Sequence, residues 1–414
     1  MLTHYLKTAW KVFLRRKFFT LISLFGISFT LVVLMVATAL LDHVFAPYPP
    51  EVHQDRTRTV LRASMLGEHN TWNSGPGYRL LDKYARNLPG VERFSISSTP
   101  GGAQSFLGGR RITLQLRRTD AEYWRILEFD FLEGGPFNAQ DVAEARFVAV
   151  INEATRDRLF GGKPALNQTF EADGQRFRVV GVVPDVPALR RITYADVWAP
   201  LTTSKTDTYE NDVMGPFMGI ALLERGASAD RLNEEFLARL KQVELPDPKN
   251  YDLIIARFET TFENMASSTF GRRGEEESHA ERLWAAIAIA GLLFMLLPTV
   301  NLVNLNVSRM MERASEIGVR KAFGASSRTL VGQFVVENVA LSLVGGLAGF
   351  VLSAAALRGI TATGLIPYAQ LHLNPRIFLY GVAIAVFFGI FSGVYPAWRM
   401  SRLNPVQALK GSSR

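Results

Sequence analysis

The chain has 414 residues, no cysteine, and a net charge of +8 from 46 Lys and Arg against 38 Asp and Glu. The lack of cysteine excludes a disulfide-stapled scaffold and any thiol chemistry. Four uncharged apolar stretches exclude an ordinary soluble enzyme: Phe18–Leu41, Leu283–Val307, Asn338–Leu357 and Ile377–Trp398. Each is near or above the roughly 20 residues that a helix needs to cross about 30 Å of hydrocarbon.

In chain order, residues 1–17 come first, with Lys7, Lys11, Arg15, Arg16 and Lys17 and no acid. Leu2, Leu6, Ala9, Trp10, Phe13 and Leu14 fall near one helical face, with cations on another. That pattern predicts a helix lying among lipid headgroups on the cytoplasmic side. Residues 18–41 form the first span, TM1. Its apolar core far exceeds the roughly 7–15 residues of a secretory signal, so an uncleaved anchor is expected.

Residues 42–282 are polar and of mixed sign, with the texture of a folded α+β domain. Thr57–Ala63 reads as a strand, Tyr78–Leu88 as a helix stopped by Pro89-Gly90, and Arg93–Ser98 as a strand. The same order recurs in Phe217–Leu223, Ser228–Lys241 and Tyr251–Ala256. These two βαβ units are expected to form a membrane-proximal lobe of residues 42–98 and 206–274. Residues 99–205 read as an inserted, β-rich lobe. Arg111–Leu116 alternates, Phe147–Ile151 is a buried-type strand, and Asn152 is placed to cap a helix through Phe160 that Gly161-Gly162 ends. Asp173-Gly174, between Phe170–Ala172 and Arg176–Val183, signals a hairpin. Glu275–Arg282 reads as a charged, solvated stalk, residues 275–282.

The spans TM2 (283–307), TM3 (330–357) and TM4 (377–398) follow. They are separated by a basic loop, 308–329, and a second loop, 358–376. Pro298 is expected to kink TM2. Small residues recur every four positions in TM3 (Gly345, Gly349, Ser353) and TM4 (Gly381, Ala385, Gly389, Gly393). Such stripes let helix backbones approach closely in lipid, either as static packing or as an interface that slides. Glu337, two turns into TM3, is expected at headgroup level within reach of water. In loop 308–329, Met310, Ala314 and Ile317 make an apolar edge, and Glu316 can pair with Arg320. Such an element suits either simple capping or the docking of a soluble partner.

Charge fixes orientation. Residues 1–17, 308–329 and the tail 399–414 carry +12 between them. Loop 358–376 adds two and Glu337 removes one, so a total of +8 leaves −5 for residues 42–282. The three basic segments share one side, expected to be the cytoplasm, with both termini there and the large domain outside. The basicity is therefore a topology signal, and nucleic-acid binding is excluded as the reading.

No Gly-x-Ser-x-Gly and no His-Glu-x-x-His occurs, and His43, His53 and His69 match no metal spacing. No catalytic, cofactor-binding or metal-binding residue is assigned. A membrane hydrolase is thereby disfavoured. A membrane sensor or scaffold suits the architecture, but the sixteen residues after Trp398 are too few for an output domain.

The run Glu312-Arg313-Ala314-Ser315-Glu316-Ile317-Gly318-Val319-Arg320-Lys321-Ala322-Phe323-Gly324-Ala325 resembles the cytoplasmic element of MacB/FtsX-type (type VII) ABC transporter permeases. So do Gln333–Glu337 with Gly345, Gly346 and Gly349. Tyr395-Pro396-Ala397-Trp398-Arg399 and Leu403-Asn404-Pro405-Val406-Gln407-Ala408-Leu409 are similar to the family's C-terminal signature. Phe147–Glu153, Leu159-Phe160-Gly161 and Arg178–Val183 look like its periplasmic core domain.

The resemblance implies an integral membrane α-helical protein of four TM helices with a two-lobed, porter- and sabre-like α+β domain in the periplasm, seated in a bacterial inner membrane. It implies a non-catalytic permease that pairs with a second permease subunit, as homodimer or heterodimer, over a cytoplasmic ABC ATPase dimer. A periplasmic adaptor and an outer-membrane channel are further partners by resemblance alone. Glu312, Arg313, Glu316, Ile317, Gly318, Arg320, Lys321 and Gly324 would couple to the ATPase. The family's outcomes are export of a peptide, drug or other periplasmic substrate, extraction of lipoproteins, or activation of an envelope hydrolase. The name-giving exporter carries its ATPase on the same chain. Here seventeen residues precede the first span, and no Gly-x-x-x-x-Gly-Lys-Ser/Thr loop exists. ATP and Mg²⁺ are therefore expected on a separate ATPase chain.

Overall fold

The computed structural model describes residues 10–401, apart from 12, 16, 108, 272–277, 313–318, 320–322, 324, 325, 370 and 372. Residues 275–277 of the expected stalk lie outside the described residues, as do most of the amphipathic segment 1–17 and the tail beyond 401, while residues 280–282 of that stalk open the helix Ala280–Glu312. The chain divides into two compact units, one of helices and one built from Val44–Trp284 together with Ile366–Ala369.

The helical unit draws on α1 (Lys17–Phe45), α8 (Ala280–Glu312), α9 (Ser327–Thr363) and α10 (Pro375–Ser401). Among the described residues, two helical stretches, Lys17–Phe45 and Val331–Thr363, are long and apolar enough to cross a membrane, and the apolar part of α10, Pro375–Phe391, is shorter. Thr30 and Thr38 sit inside α1 without cost in hydrogen bonds, because each hydroxyl donates to a carbonyl one turn back, Gly26 O at 2.8 Å and Leu34 O at 2.7 Å. Ser326 caps α9 by accepting from Thr329 N at 3.2 Å, and Gly364, at φ +63°, ends it. Phe13, Ile27, Leu31 and Leu341 form the unit's small core, with Leu24, Ala340 and Ala385 against it. Large apolar side chains such as Phe18, Phe25, Leu347, Val351, Leu379 and Phe391 face outward. A helical unit with small residues inside and large apolar ones outside is built for a solvent other than water. Helix α8 runs unbroken through Pro298. Glu337 is buried beside Asn338, not open to water as expected, because it lies on the side of α9 turned into the unit.

The second unit is organised by a ten-stranded mixed sheet in the order β1-β12-β4-β6-β11-β8-β10-β7, with β5 (Gly101–Leu107) added to β6 and β9 (Thr169–Ala172) to β10. The path strands are β1 (Thr57–Val60), β4 (Val91–Ser98), β6 (Arg110–Thr119), β7 (Glu133–Gly134), β8 (Val148–Asn152), β10 (Gln175–Val183), β11 (Val197–Pro200) and β12 (Phe217–Leu223). Strand β12 is buried at every position, as its uninterrupted apolar run requires of a central strand covered on both faces. Strands from residues 42–98, 99–205 and 206–274 share this one sheet. Its faces carry three apolar clusters. One lies around Leu80, Leu81 and Phe236, one around Tyr123, Trp124 and Trp198, and one around Leu114, Phe177 and Val197.

Several sequence expectations meet their elements closely. Asn152 Oδ1 accepts from Thr155 N at 2.9 Å and starts α5 (Glu153–Phe160), which Gly161 ends in the left-handed region. Asp173 (φ +54°) and Gly174 (φ +71°) close the β9–β10 hairpin with the two left-handed residues that a type I′ turn needs. Helix α6 (Ala229–Leu240) buries Leu232, Phe236 and Leu240.

Three expectations change. The strand read at Thr57–Ala63 breaks after Val60, and a new strand, β2 (Ala63–Leu66), begins a second sheet. Thr59 and Val60 are buried consecutively, which a strand with one covered face does not allow, and the chain passes from one sheet to the other there. The strand read at 251–256, β13 (Leu253–Ala256), pairs with β2 in the sheet β13-β2-β3, where β3 is Thr71–Ser74, and not with the main sheet. The helix read at 78–88 is α2, made of Tyr78–Leu80 and a wide turn, Leu81–Ala85, that Arg86 N closes onto Leu81 O at 2.9 Å.

Candidate functional site

Three parts of the chain bear on function: the segment between α8 and α9, the small-residue faces of the helices, and a loop in the second unit that gathers the ends of helical segments.

Of the residues expected to couple to an ATPase, Glu312 is the last residue of α8. Arg313, Glu316, Ile317, Gly318, Arg320, Lys321 and Gly324 lie outside the described residues. Two neighbours are described. Val319 is exposed, and Phe323, whose N–H donates to Val319 O at 3.1 Å, is 88% exposed. Exposed Phe323 and Val319 thus stand one helical turn apart.

The small residues of α9 and α10 stand where helices meet. A Cβ on Gly345 would lie 2.8 Å from Ile27 Cγ2 and one on Gly349 3.0 Å from Leu31 Cβ, so both glycines of α9 face α1. Ser28 Oγ reaches across to Gly345 O at 3.0 Å, which only this close approach permits. Ser353 is fully buried and bonds back to Gly349 O at 2.6 Å. On α10, Gly381 faces Leu31, Ala385 packs against the Ile27–Leu31–Leu341 core, and Gly389 meets Ser342 of α9. Gly393 lies within α10. The stripes on α9 and α10 therefore do not simply face each other: that of α9 is turned to α1, and α10 divides its small residues between α1 and α9.

The gathering loop is 184–196, between β10 and β11. Asp196 O accepts from Asn152 N of β8 at 3.1 Å, and buried side chains supply donors to the carbonyls of Arg191, Ile192 and Tyr194. Arg117, wholly buried on β6, donates Nη2 to Arg191 O at 2.7 Å and to Tyr194 O at 3.1 Å, and Nη1 to Ser98 O and Ser97 Oγ at 3.1 Å each. Tyr123 on α3 (Tyr123–Ile126) donates to Ile192 O at 3.2 Å and accepts from Trp198 Nε1 at 3.3 Å. Burial lowers the Arg117 pKa and pushes the Tyr123 phenol up to about 12, so the phenol remains a donor at neutral pH.

This loop holds the chain leaving α1. Arg190 donates to Ala46 O at 3.0 Å and Tyr48 O at 3.1 Å, and its guanidinium lies 3.8 Å from the Glu51 carboxylate. Thr193 Oγ1 donates to Glu51 Oε1 at 2.6 Å, and Gln54 Nε2 to Glu51 Oε2 at 3.1 Å. Burial raises the Glu51 pKa, while Thr193 and Arg190 pull it down. Glu51 and Glu259 line one small cavity with Gln54, Thr57, Thr59, Leu127, Ile192 and Thr261. Nearby, Phe262 of α7 (Thr261–Phe270) lies between Phe45 at 5.5 Å and Trp284 at 4.8 Å between ring centroids. A reciprocal cap between Thr260 and Glu263 fixes the start of α7 and so the place of Phe262.

Sequence reading missed Glu51, Arg117, Tyr123, Arg190 and Phe262. Only Arg117 left a trace, since Leu116 and Arg117 are buried side by side where the alternation of β6 ends. Among the described residues no group of three metal-ligating side chains occurs.

Together these features define a class: a protein of long apolar helices with a large α+β domain inserted between the first and second. A family model described as MacB-like periplasmic core domain matches residues 20–239, and one described as FtsX-like permease C-terminal matches residues 288–405. The chain belongs to the MacB-like periplasmic core domain family, joined to an FtsX-like permease C-terminal region. It is 27% identical over 322 residues to the macrolide export ATP-binding/permease protein MacB 1/2 of Paracoccus denitrificans, covering 76% of this chain and 45% of that protein. It is 24% identical over 348 residues to the ABC transporter permease YvrN of Bacillus subtilis, covering 79% of this chain and 78% of that one. The chain spans about half the length of the MacB relatives. Among solved structures, the periplasmic region of MacB from Actinobacillus actinomycetemcomitans matches 52% of this chain and 94% of its own, at TM-score 0.39 and 15% identity.

Proposed function

We propose that this chain is the permease subunit of an ABC transporter and moves its periplasmic domain in response to ATP bound with Mg²⁺ on a separate ATPase. Helices α1, α8, α9 and α10 are its four spans, the segment between α8 and α9 faces the cytoplasm, and a second permease subunit completes the membrane part. Movement passes along the helices into the large domain, outside the inner membrane, and drives export of a peptide, drug or other periplasmic substrate.

The observation that carries this reading is Phe323. In a segment with the charge pattern of a cytoplasmic loop, it stands 88% exposed beside exposed Val319. The family's division into a core domain at 20–239 and a permease region at 288–405 supports the same assignment.

The test is co-purification. The full chain, expressed with the genes that flank its own, is expected to retain a nucleotide-binding ATPase. Gly318→Trp, Glu316→Lys and Phe323→Glu are each expected to release it while the permease stays in the membrane. Retention of the ATPase by all three variants contradicts the assignment.

A further inference from the structure

The segment Ile366–Ala369, in the stretch joining α9 to α10, belongs to the second unit. Its sequence, Ile-Pro-Tyr-Ala, closes a turn in which Ala369 N donates to Ile366 O at 3.2 Å. Pro367 occupies the second position, as many turns favour. The third position needs a positive φ and is usually glycine or asparagine, yet Tyr368 holds it at φ +60°. A tyrosine kept in that region by nothing but its turn would be poorly placed, so the hold has to come from the side chain.

The side chain has such a hold. The Tyr368 hydroxyl donates to Asp196 Oδ1 at 2.7 Å and accepts from Arg158 Nη2 at 2.7 Å. Arg158 also reaches Asp196 Oδ1 at 3.2 Å. Asp196 is buried and doubly anchored to β6, with Gln115 N donating to its Oδ2 at 2.8 Å and its own N–H to Gln115 O at 2.8 Å. Asn152, the cap of α5, donates to the same Oδ1 at 3.5 Å. Main chain adds one bond, Ala188 N to Pro367 O at 3.1 Å, and the Tyr194 ring lies 6.4 Å from that of Tyr368. Burial and the Asp196 carboxylate both raise the Tyr368 pKa, which keeps the phenol a donor.

We propose that Tyr368 is a positioning residue that clasps the α9–α10 connector to the Asp196–Arg158 pair, so that the connector's movement is delivered to loop 184–196 and β11. This role in coupling rests on the permease reading, whereas the clasp itself does not. Loop 184–196 also receives the chain leaving α1, so the clasp makes it the meeting point of two separate stretches of chain that lead to long helices.

The test is hydrogen–deuterium exchange on the full chain in lipid nanodiscs, with no ATPase present. Tyr368→Phe is expected to speed exchange of residues 364–371 and of the Ala188 amide by about tenfold or more, the loss expected when a hydrogen bond to a charged group goes. Strands β8 and β10 should be unchanged. Asp196→Asn should act at the same amides. Tyr368→Gly separates the clasp from the turn, since glycine suits the left-handed position but has no phenol. The clasp predicts exchange as fast as in Tyr368→Phe, whereas a turn held by its own backbone predicts protection equal to or better than wild type. Wild-type protection in Tyr368→Phe, or in Tyr368→Gly, overturns the proposal. Failure of the ATPase to co-purify would leave these exchange results standing.

Discussion

Arg190 donates its Nη2 to the main-chain oxygen of Ala46 at 3.0 Å, joining residues 144 apart in sequence. Ala46 follows the last residue of α1, and Arg190 is nearly inaccessible to solvent, so the chain just beyond that helix is held within the second unit. Arg190→Ala removes the donors to Ala46 and Tyr48 and strips Glu51 of its nearest cation. Breaking a buried pair from one side costs about 3–5 kcal/mol. A clear fall in the thermal midpoint of the large domain is expected in the purified chain. Arg190→Lys should recover only part of it, because one ammonium nitrogen cannot stand where the guanidinium's two separate nitrogens meet Tyr48 O and Ala46 O. An unchanged midpoint in Arg190→Ala would remove this holder from the account.

The helix contacts predict a contrast between adjacent glycines. Gly345 has Ile27 within 2.8 Å of where a Cβ would sit, whereas Gly346 has Val382 at an ordinary 3.4 Å. Gly345→Leu should push α9 from α1, break the Ser28–Gly345 bond and lower the yield and melting point of the detergent-solubilised chain. Gly346→Ala should be tolerated and gain slightly from reduced backbone freedom in the unfolded state. Equal effects from the two substitutions would show that the α1–α9 approach is not close.

The buried acids set the sign of the pH dependence. Glu51, Asp120, Asp185 and Glu259 have pKa values raised above the ordinary 4.5 and 3.8, in each case mainly by burial. A carboxyl that holds its proton more tightly when folded contributes stability that is complete below its unfolded pKa and lost as pH rises through the folded one. The large domain should therefore keep or gain stability as pH is lowered toward the ordinary carboxyl range, where acid begins to destabilise many proteins. Glu259→Gln should flatten that slope, since the amide does not titrate and can still accept from Ser267 Oγ, now 2.6 Å from Glu259 Oε1. Melting curves from neutral pH down to that range check both points. A wild-type midpoint that falls steadily toward it contradicts the sign.

Local signals carried far in this chain where one residue type controls one piece of backbone. Asn152 and Gly161 bracket α5, and Asp173-Gly174 closes a hairpin, because caps and turns depend on neighbours in sequence. The sheet order was not legible. β1 and β2 are separated by only two residues, yet they join different sheets, and pairing partners are chosen by packing between distant segments. The junction was hidden for the same reason. Arg190, Glu51 and Tyr368 look like ordinary loop residues until the fold brings residues 46–51, 190–196 and 366–369 together. The small-residue stripes were legible as contact surfaces, but their partners were not. A stripe states how closely a helix can approach and not which helix does so.

The central claim is that the segment between α8 and α9 and the large domain lie on opposite sides of the membrane. The chain has no cysteine, so single cysteines at Phe323 and at Asp207, both exposed, can be labelled in intact cells with a membrane-impermeant maleimide, with and without prior permeabilisation of the inner membrane. The account predicts that position 207 reacts once the reagent reaches the outer face of that membrane, and that position 323 reacts only after the membrane itself is breached. Reaction of both positions from the same side would contradict it.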